Sequence, residues 1–67
     1  MEKFIERLRE LRTDLGKSQA QVAKETGLSK SAIANWELGQ RIPNAMAVII
    51  LARYFKVTTD YLLGEED

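Results

Sequence analysis

The 67-residue sequence has no cysteine and no histidine. No disulfide framework, thiol nucleophile, imidazole base or usual zinc site can be built from it. Carboxylates are present, but none stands in an evident pairing with a base or nucleophile, so the chain reads as a non-enzyme without a cofactor. No apolar run reaches membrane-spanning length, and acidic residues from Glu2 onward are unlike a signal peptide. The expectation is a soluble cytoplasmic protein with no membrane partner and no evident small-molecule ligand. β-type alternation, internal repeats, linkers and low-complexity segments are missing as well. Excess charge is also absent: ten Lys and Arg balance ten Asp and Glu. That is unusual for a nucleic-acid binder, whose ordinary footprint is basic. The charges are nevertheless uneven, with eight cations against six anions up to Arg41 and two against four beyond it.

What the chain does have is helical periodicity. Its length suits one domain, near the lower limit for folding without disulfides or metal. Phe4, Ile5, Leu8, Leu11 and Leu15 repeat at helical spacing and predict a helix over 2–15 with a core-facing stripe, closed by Gly16. Asn44 caps a helix expected over 45–55, after an extended Ile42 imposed by Pro43. In that helix Ala45, Val48, Ile49 and Ala52 suffice for a core stripe, with Leu51 and Phe55 adding to it. Thr58 caps a last short helix that turns Leu62 and Leu63 inward and ends at Gly64, leaving an acidic tail at 65–67. Only Lys56 sits awkwardly, because a left-handed cap at a lysine costs on the order of 1 kcal/mol.

The most informative stretch is 18–39, S-Q-A-Q-V-A-K-E-T-G-L-S-K-S-A-I-A-N-W-E-L-G. Ser18 with Gln21 forms a capping box, Gly27 permits an immediate turn, Ser29 caps a second helix and Gly39 ends it. Two helices of about two turns joined by a short Gly-containing turn are a helix-turn-helix pattern. In the second helix Ile33, Trp36 and Glu37 share the inward side. Lys30, Ser31, Ala34 and Asn35 share the other. A cation, a hydroxyl, a small apolar group and a carboxamide can read base edges in a major groove. They also suit an ordinary solvated face, and on the local pattern the two readings stand level.

Taken together, R-L-R-E-L-R at Arg7–Arg12, the 18–39 segment, I-P-N at Ile42–Asn44 and Y-L-L-G at Tyr61–Gly64 make the chain resemble a known family. It is that of lambdoid phage repressors, Cro proteins and xenobiotic-response-element type bacterial regulators. The resemblance implies an all-α, compact five-helix repressor-like domain spanning 1–67, with helices 2 and 3 as the motif. It implies a transcriptional regulator, expected to be a repressor, that binds a near-palindromic operator in double-stranded DNA as a homodimer. Carried over by position, base contacts fall to Gln19, Lys30, Ser31, Ala34 and Asn35, with Gln19 also able to brace the second motif helix. Phosphate contacts fall to Lys17, Ser18, Arg12, Gln40 and Arg41. Arg12 is expected mainly to pair with Glu37 across the motif, and Trp36 to be a core anchor.

The chain departs from the family's pattern in two places. Leu38 and Gln40 stand where polar and basic residues are common, which with zero net charge implies few phosphate neutralisations. The run Ala45–Ala52 is apolar throughout, with Met46, Ala47 and Ile50 at places often polar in similar proteins. Met46, Ala47, Ile50, Tyr54 and Tyr61 are therefore expected to form a dimer interface. The alternative is an antitoxin-like or co-regulatory protein-interaction module using the same apolar surface of helices 4 and 5.

Overall fold

The computed structural model describes residues 1–67, all helix and connecting turns: α1 (Glu2–Asp14), α2 (Gln19–Thr26), α3 (Lys30–Glu37), α4 (Ala45–Phe55) and α5 (Thr59–Leu63). Four of the five helices start on a side chain that accepts a backbone N–H of its own first turn. These are Ser18 from Gln21, Ser29 from Ala32, Asn44 from Ala47 and Thr58 from Tyr61. Such caps satisfy donors that the helix itself leaves unpaired, for about 1 kcal/mol each. At Ser18 the capping box is complete, because the Gln21 side chain accepts from the Ser18 N–H at 2.7 Å.

The three residues Gly27–Ser29 turn the chain from α2 to α3. Gly27 takes φ 78°, and its N–H closes α2 on the Ala23 carbonyl. A side chain there would meet nothing within 4 Å, so the glycine answers to backbone conformation alone. Gly64 is different, because a Cβ at that position would lie 2.3 Å from Lys3 Cβ. The end of α5 is packed that closely against the start of α1. Lys56 does take the left-handed conformation at the end of α4, with φ 60° and ψ 42°.

α2 packs on α3, α1 lies against both α3 and α5, and α4 rests on α5 and α2. Phe4, Leu8, Val22, Ile33, Leu51 and Leu62 are fully enclosed where these helices meet. Trp36 reaches the same core from α3 and meets the Phe4 ring edge-on, centroids 6.4 Å apart. The predicted stripe of α1 is shorter than expected: Leu15 is 54% exposed, because α1 ends at Asp14 and Leu15 serves as its C-cap.

In α4 the phase differs from the expected one. Ala47 is buried at 4% exposure, Ala45 is exposed and Ile49 only half-buried. The buried side runs through Ala47, Val48, Leu51, Ala52 and Phe55. Ala47 therefore belongs to its own chain's core and offers nothing to a second subunit.

Candidate nucleic-acid interface

The motif is locked by one buried carboxylate. Glu37, in the last turn of α3, is 4% exposed. Arg12, in the last turn of α1, meets it as a fork: Nε donates to Oε2 at 2.6 Å and Nη2 to Oε1 at 2.9 Å. Gln19, the first residue of α2, donates from Nε2 to Oε1 at 3.1 Å. Burial pushes the Glu37 carboxyl up, but hydrogen bonds from Arg12 and Gln19 and the charges of Arg12 and Arg9 outweigh it. The net direction is below the usual carboxylate range. The hydrogen bond to Glu37 raises Arg12 in turn, against its own desolvation. Arg9 completes the cluster by donating to the Glu37 backbone carbonyl at 2.8 Å, a cation at a helix C-terminus. α1, α2 and α3 are thereby fixed to one another by side chains of opposite charge and matched geometry.

With Ile33, Trp36 and Glu37 committed inward, the other side of α3 faces out. Lys30 and Ser31 are exposed, and Ala34 and Asn35 are half-buried. The side chain of Lys30 makes no hydrogen bond or ion pair within the chain, and neither does that of Arg41. A shallow groove of about 380 Å³ runs along this side. Ser31 and Asn35 line it together with Arg41 and Asn44 from the connection to α4. The structure thus brings Ser31 and Asn35, two of the four predicted base-reading residues of α3, into one groove with Arg41, one of the predicted phosphate-binding cations.

The remaining site residues are placed less uniformly. Gln19 is tied to Glu37, so its amide nitrogen points at the buried carboxylate and it braces α3. Arg12 spends its fork on Glu37, and its third donor reaches the Lys17 carbonyl at 2.9 Å. It is a structural residue in this chain. Ser18 Oγ accepts the Gln21 N–H, which leaves its hydroxyl proton for another acceptor. Gln40 is exposed. Lys17 is engaged, with Nζ 3.1 Å from Glu25 Oε2.

The five residues expected at a dimer interface do not form one continuous stripe. Met46 is 62% exposed, Ile50 half-buried and Ala47 internal. The Tyr54 hydroxyl donates to Glu25 on α2 at 2.6 Å. Tyr61 lies instead under the Arg7 guanidinium of α1, 4.1 Å from its ring centroid. Arg7 also donates to the Tyr61 carbonyl and to that of Glu66, holding the C-terminal end onto α1.

This geometry is matched by a helix-turn-helix family model over residues 8–62. The chain belongs to the helix-turn-helix family, in its Cro/C1-type branch. The domain is 38% identical over 64 residues to the "HTH-type transcriptional activator BcrR" of Enterococcus faecalis, covering 96% of this chain and 31% of that one. It is 40% identical over 62 residues to the "HTH-type transcriptional regulator AnsR" of Bacillus subtilis, covering 92% and 53%. Among solved structures it is similar to the restriction-modification controller protein C.AhdI of Aeromonas hydrophila. The TM-score is 0.81 at 38% identity, with 90% of this chain and 91% of that chain covered. The helix-turn-helix domain spans between about a third and about a half of these two curated relatives.

Two features of the domain escaped sequence reasoning. The Lys17–Glu25–Tyr54 chain joins residues 8 and 29 positions apart, and only the crossing of α2 over α4 brings Tyr54 to Glu25. The Arg7–Tyr61 stack depends likewise on α5 returning to α1. The one available signal was an aromatic at each of two positions where an apolar aliphatic would have filled the same space.

Proposed function

We propose that this domain binds double-stranded DNA sequence-specifically by laying α3 in the major groove, and regulates transcription by occupying its site without chemistry. The observation that carries the reading is the division of labour on α3. The Arg12–Glu37–Gln19 cluster holds the inner side, while Lys30, Ser31, Ala34 and Asn35 stand outside the core, with Ser31 and Asn35 sharing a groove with Arg41. In this arrangement Lys30 donates to guanine O6 or N7, Asn35 pairs with adenine or reaches a phosphate, and Ala34 touches a thymine methyl. Ser31 supplies a hydroxyl to either kind of base. Phosphates are held by Arg41, Ser18, Gln40 and the N-terminus of α2, while Lys17, also expected there, is paired with Glu25. The membership of the family and the names of its relatives as transcriptional regulators support this reading.

Repression by steric occupancy is the simplest output, and a two-fold dimer on a near-palindromic operator is the simplest stoichiometry. With Lys30 and Arg41 the only unengaged cations among the residues assigned to DNA, one subunit gathers little phosphate energy. Linking two subunits about 34–36 Å apart adds their half-site energies. Met46 and Ile50 remain as the dimer residues proposed here. The test of the base-reading assignment is the double variant Lys30→Ala, Asn35→Ala, with unchanged affinity and unchanged base preference refuting it. For the dimer, an Ile50→Glu chain that sediments like the wild type at every concentration removes the interface.

One observation favours the alternative, a protein-interaction module. A groove of about 430 Å³ between Ile42–Pro43, the start of α4 and α5 is lined by Met1, Ala45, Val48, Ile49, Thr59 and Leu63 as well. Retention of DNA on a filter at low salt separates the readings, since a pure interaction module retains none.

A further inference from the structure

The geometry points to Glu25, clamped by Tyr54, as a positioning residue that withholds Lys17 from the DNA backbone and so sets the domain's phosphate affinity below what its cations would allow. The inference rests on the DNA-binding reading above. Both carboxylate oxygens of Glu25 are occupied. Oε1 accepts the Tyr54 hydroxyl at 2.6 Å and Oε2 faces the Lys17 ammonium at 3.1 Å. Lys17 leaves the chain just before the N-cap Ser18, at the end of α2 where free backbone N–H groups and the helix dipole favour an anion. Its ammonium does not stay there. It is drawn to the other end of the same helix, since Glu25 is the residue before the last of α2. Tyr54, from α4 packed behind α2, holds the carboxylate in place through its other oxygen.

The groups around the pair are consistent with a standing ion pair. Hydrogen bonding from Tyr54 first, then from Lys17, holds the Glu25 carboxyl below the usual range, so it is ionised at neutral pH. Lys24 adds a more distant positive charge but makes no ion pair. Lys17 and Glu25 keep 33% and 40% side-chain exposure, so the pair itself is weak and exchanges, and the Tyr54 hydrogen bond is the second contact that holds the carboxylate in place. Neither residue contributes to the core, and the clamp uses no side chain of the Arg12–Glu37–Gln19 cluster.

The experiment is a salt series of binding to a fluorescein-labelled mixed-sequence duplex, because phosphate contacts do not depend on base sequence. Wild type, Glu25→Gln, Tyr54→Phe, Lys17→Ala and the Glu25→Gln, Lys17→Ala double variant are compared, with folding checked by circular dichroism. Releasing one lysine to one phosphate steepens the slope of log K against log[salt] by about 0.9. Glu25→Gln then loses about 3.5-fold more affinity than wild type between 50 and 200 mM salt. Tyr54→Phe shifts in the same direction by less. In the Lys17→Ala background Glu25→Gln leaves the slope where it was, which separates release of the lysine from simple loss of a negative charge. A Glu25→Gln slope equal to wild type, with Lys17→Ala lowering it, overturns the inference and leaves DNA binding intact, because Lys17 then reaches phosphate despite its partner. Slopes unmoved by either single variant overturn the assignment of Lys17 to phosphate. No binding by any chain at low salt overturns the DNA reading itself.

Discussion

Replacing Glu37 by Gln changes one oxygen to an amide nitrogen and leaves the volume nearly unchanged, so it isolates the charge at the centre of the motif. In the folded chain that carboxylate accepts two hydrogen bonds from Arg12 and one from Gln19. A glutamine keeps one acceptor and sets an NH2 against donors. Removing one member of a buried ion pair costs about 3–5 kcal/mol. Arg12 keeps 15% side-chain exposure against 4% for Glu37, so water partly resolvates the guanidinium and the lower end, about 3 kcal/mol, applies. A domain of this length has roughly 3–10 kcal/mol in total, so the variant loses a third or more of its stability. Its Tm falls by about 12–24 °C on the usual scaling for small domains. Trp36, buried beside Glu37 and the only tryptophan, reports urea unfolding by its fluorescence. A loss below about 1 kcal/mol at unchanged m-value refutes the reasoning. The pair also sets an acid limb. Its folded carboxyl value is depressed, so its stabilisation is complete above the unfolded value, near 4.3. It is lost as pH falls from there through the folded value, and Glu37→Gln flattens that limb. The double variant Arg12→Met, Glu37→Met, which buries no charge, regains most of the stability while leaving Gln19 without its anchor.

Other positions give independent checks. Lys56→Gly relieves a left-handed lysine and raises stability by about 0.5–1 kcal/mol, read from the urea midpoint. Gly64→Ala is worse than Gly27→Ala by more than about 1 kcal/mol. Both sit at positive φ, but only the first drives a methyl into Lys3. The Tyr54 hydroxyl is pushed up to about 12, chiefly by its hydrogen bond to Glu25. The stabilisation from this bond is present below the unfolded tyrosine value, about 10, and is lost as pH rises through about 12. Alkaline absorbance titration of Glu25→Gln therefore shows a tyrosine ionising earlier than in the wild type.

Much of the domain is legible in the sequence, because its signals are local. Ser18, Ser29, Asn44 and Thr58 act on their own first turns, and the glycines end helices through their own backbone angles. The Arg12–Glu37 pair was legible through the family's register. The phase of α4 was not. A helix apolar from Ala45 to Ala52 carries no polar side to mark solvent, so its rotation is decided by what α2 and α5 press against it. Ala47 went in and Ala45 out for that reason. Leu15 was misjudged because periodicity does not say where a helix stops being covered. On α3 the outward placement of Lys30 and Ser31 followed from the inward commitments of Ile33, Trp36 and Glu37. The bond that ties Gln19 to Glu37 had no comparable local cue.

The central claim is that the outer side of α3 reads bases. Selection from a random duplex library, run with wild type and with Lys30→Ala, Asn35→Ala, tests it most directly. Wild type should enrich a two-fold symmetric motif with half-sites one helical turn apart. The double variant should stay folded and lose that base preference. An unstructured pool from the wild type, or the same motif from both chains, contradicts the account.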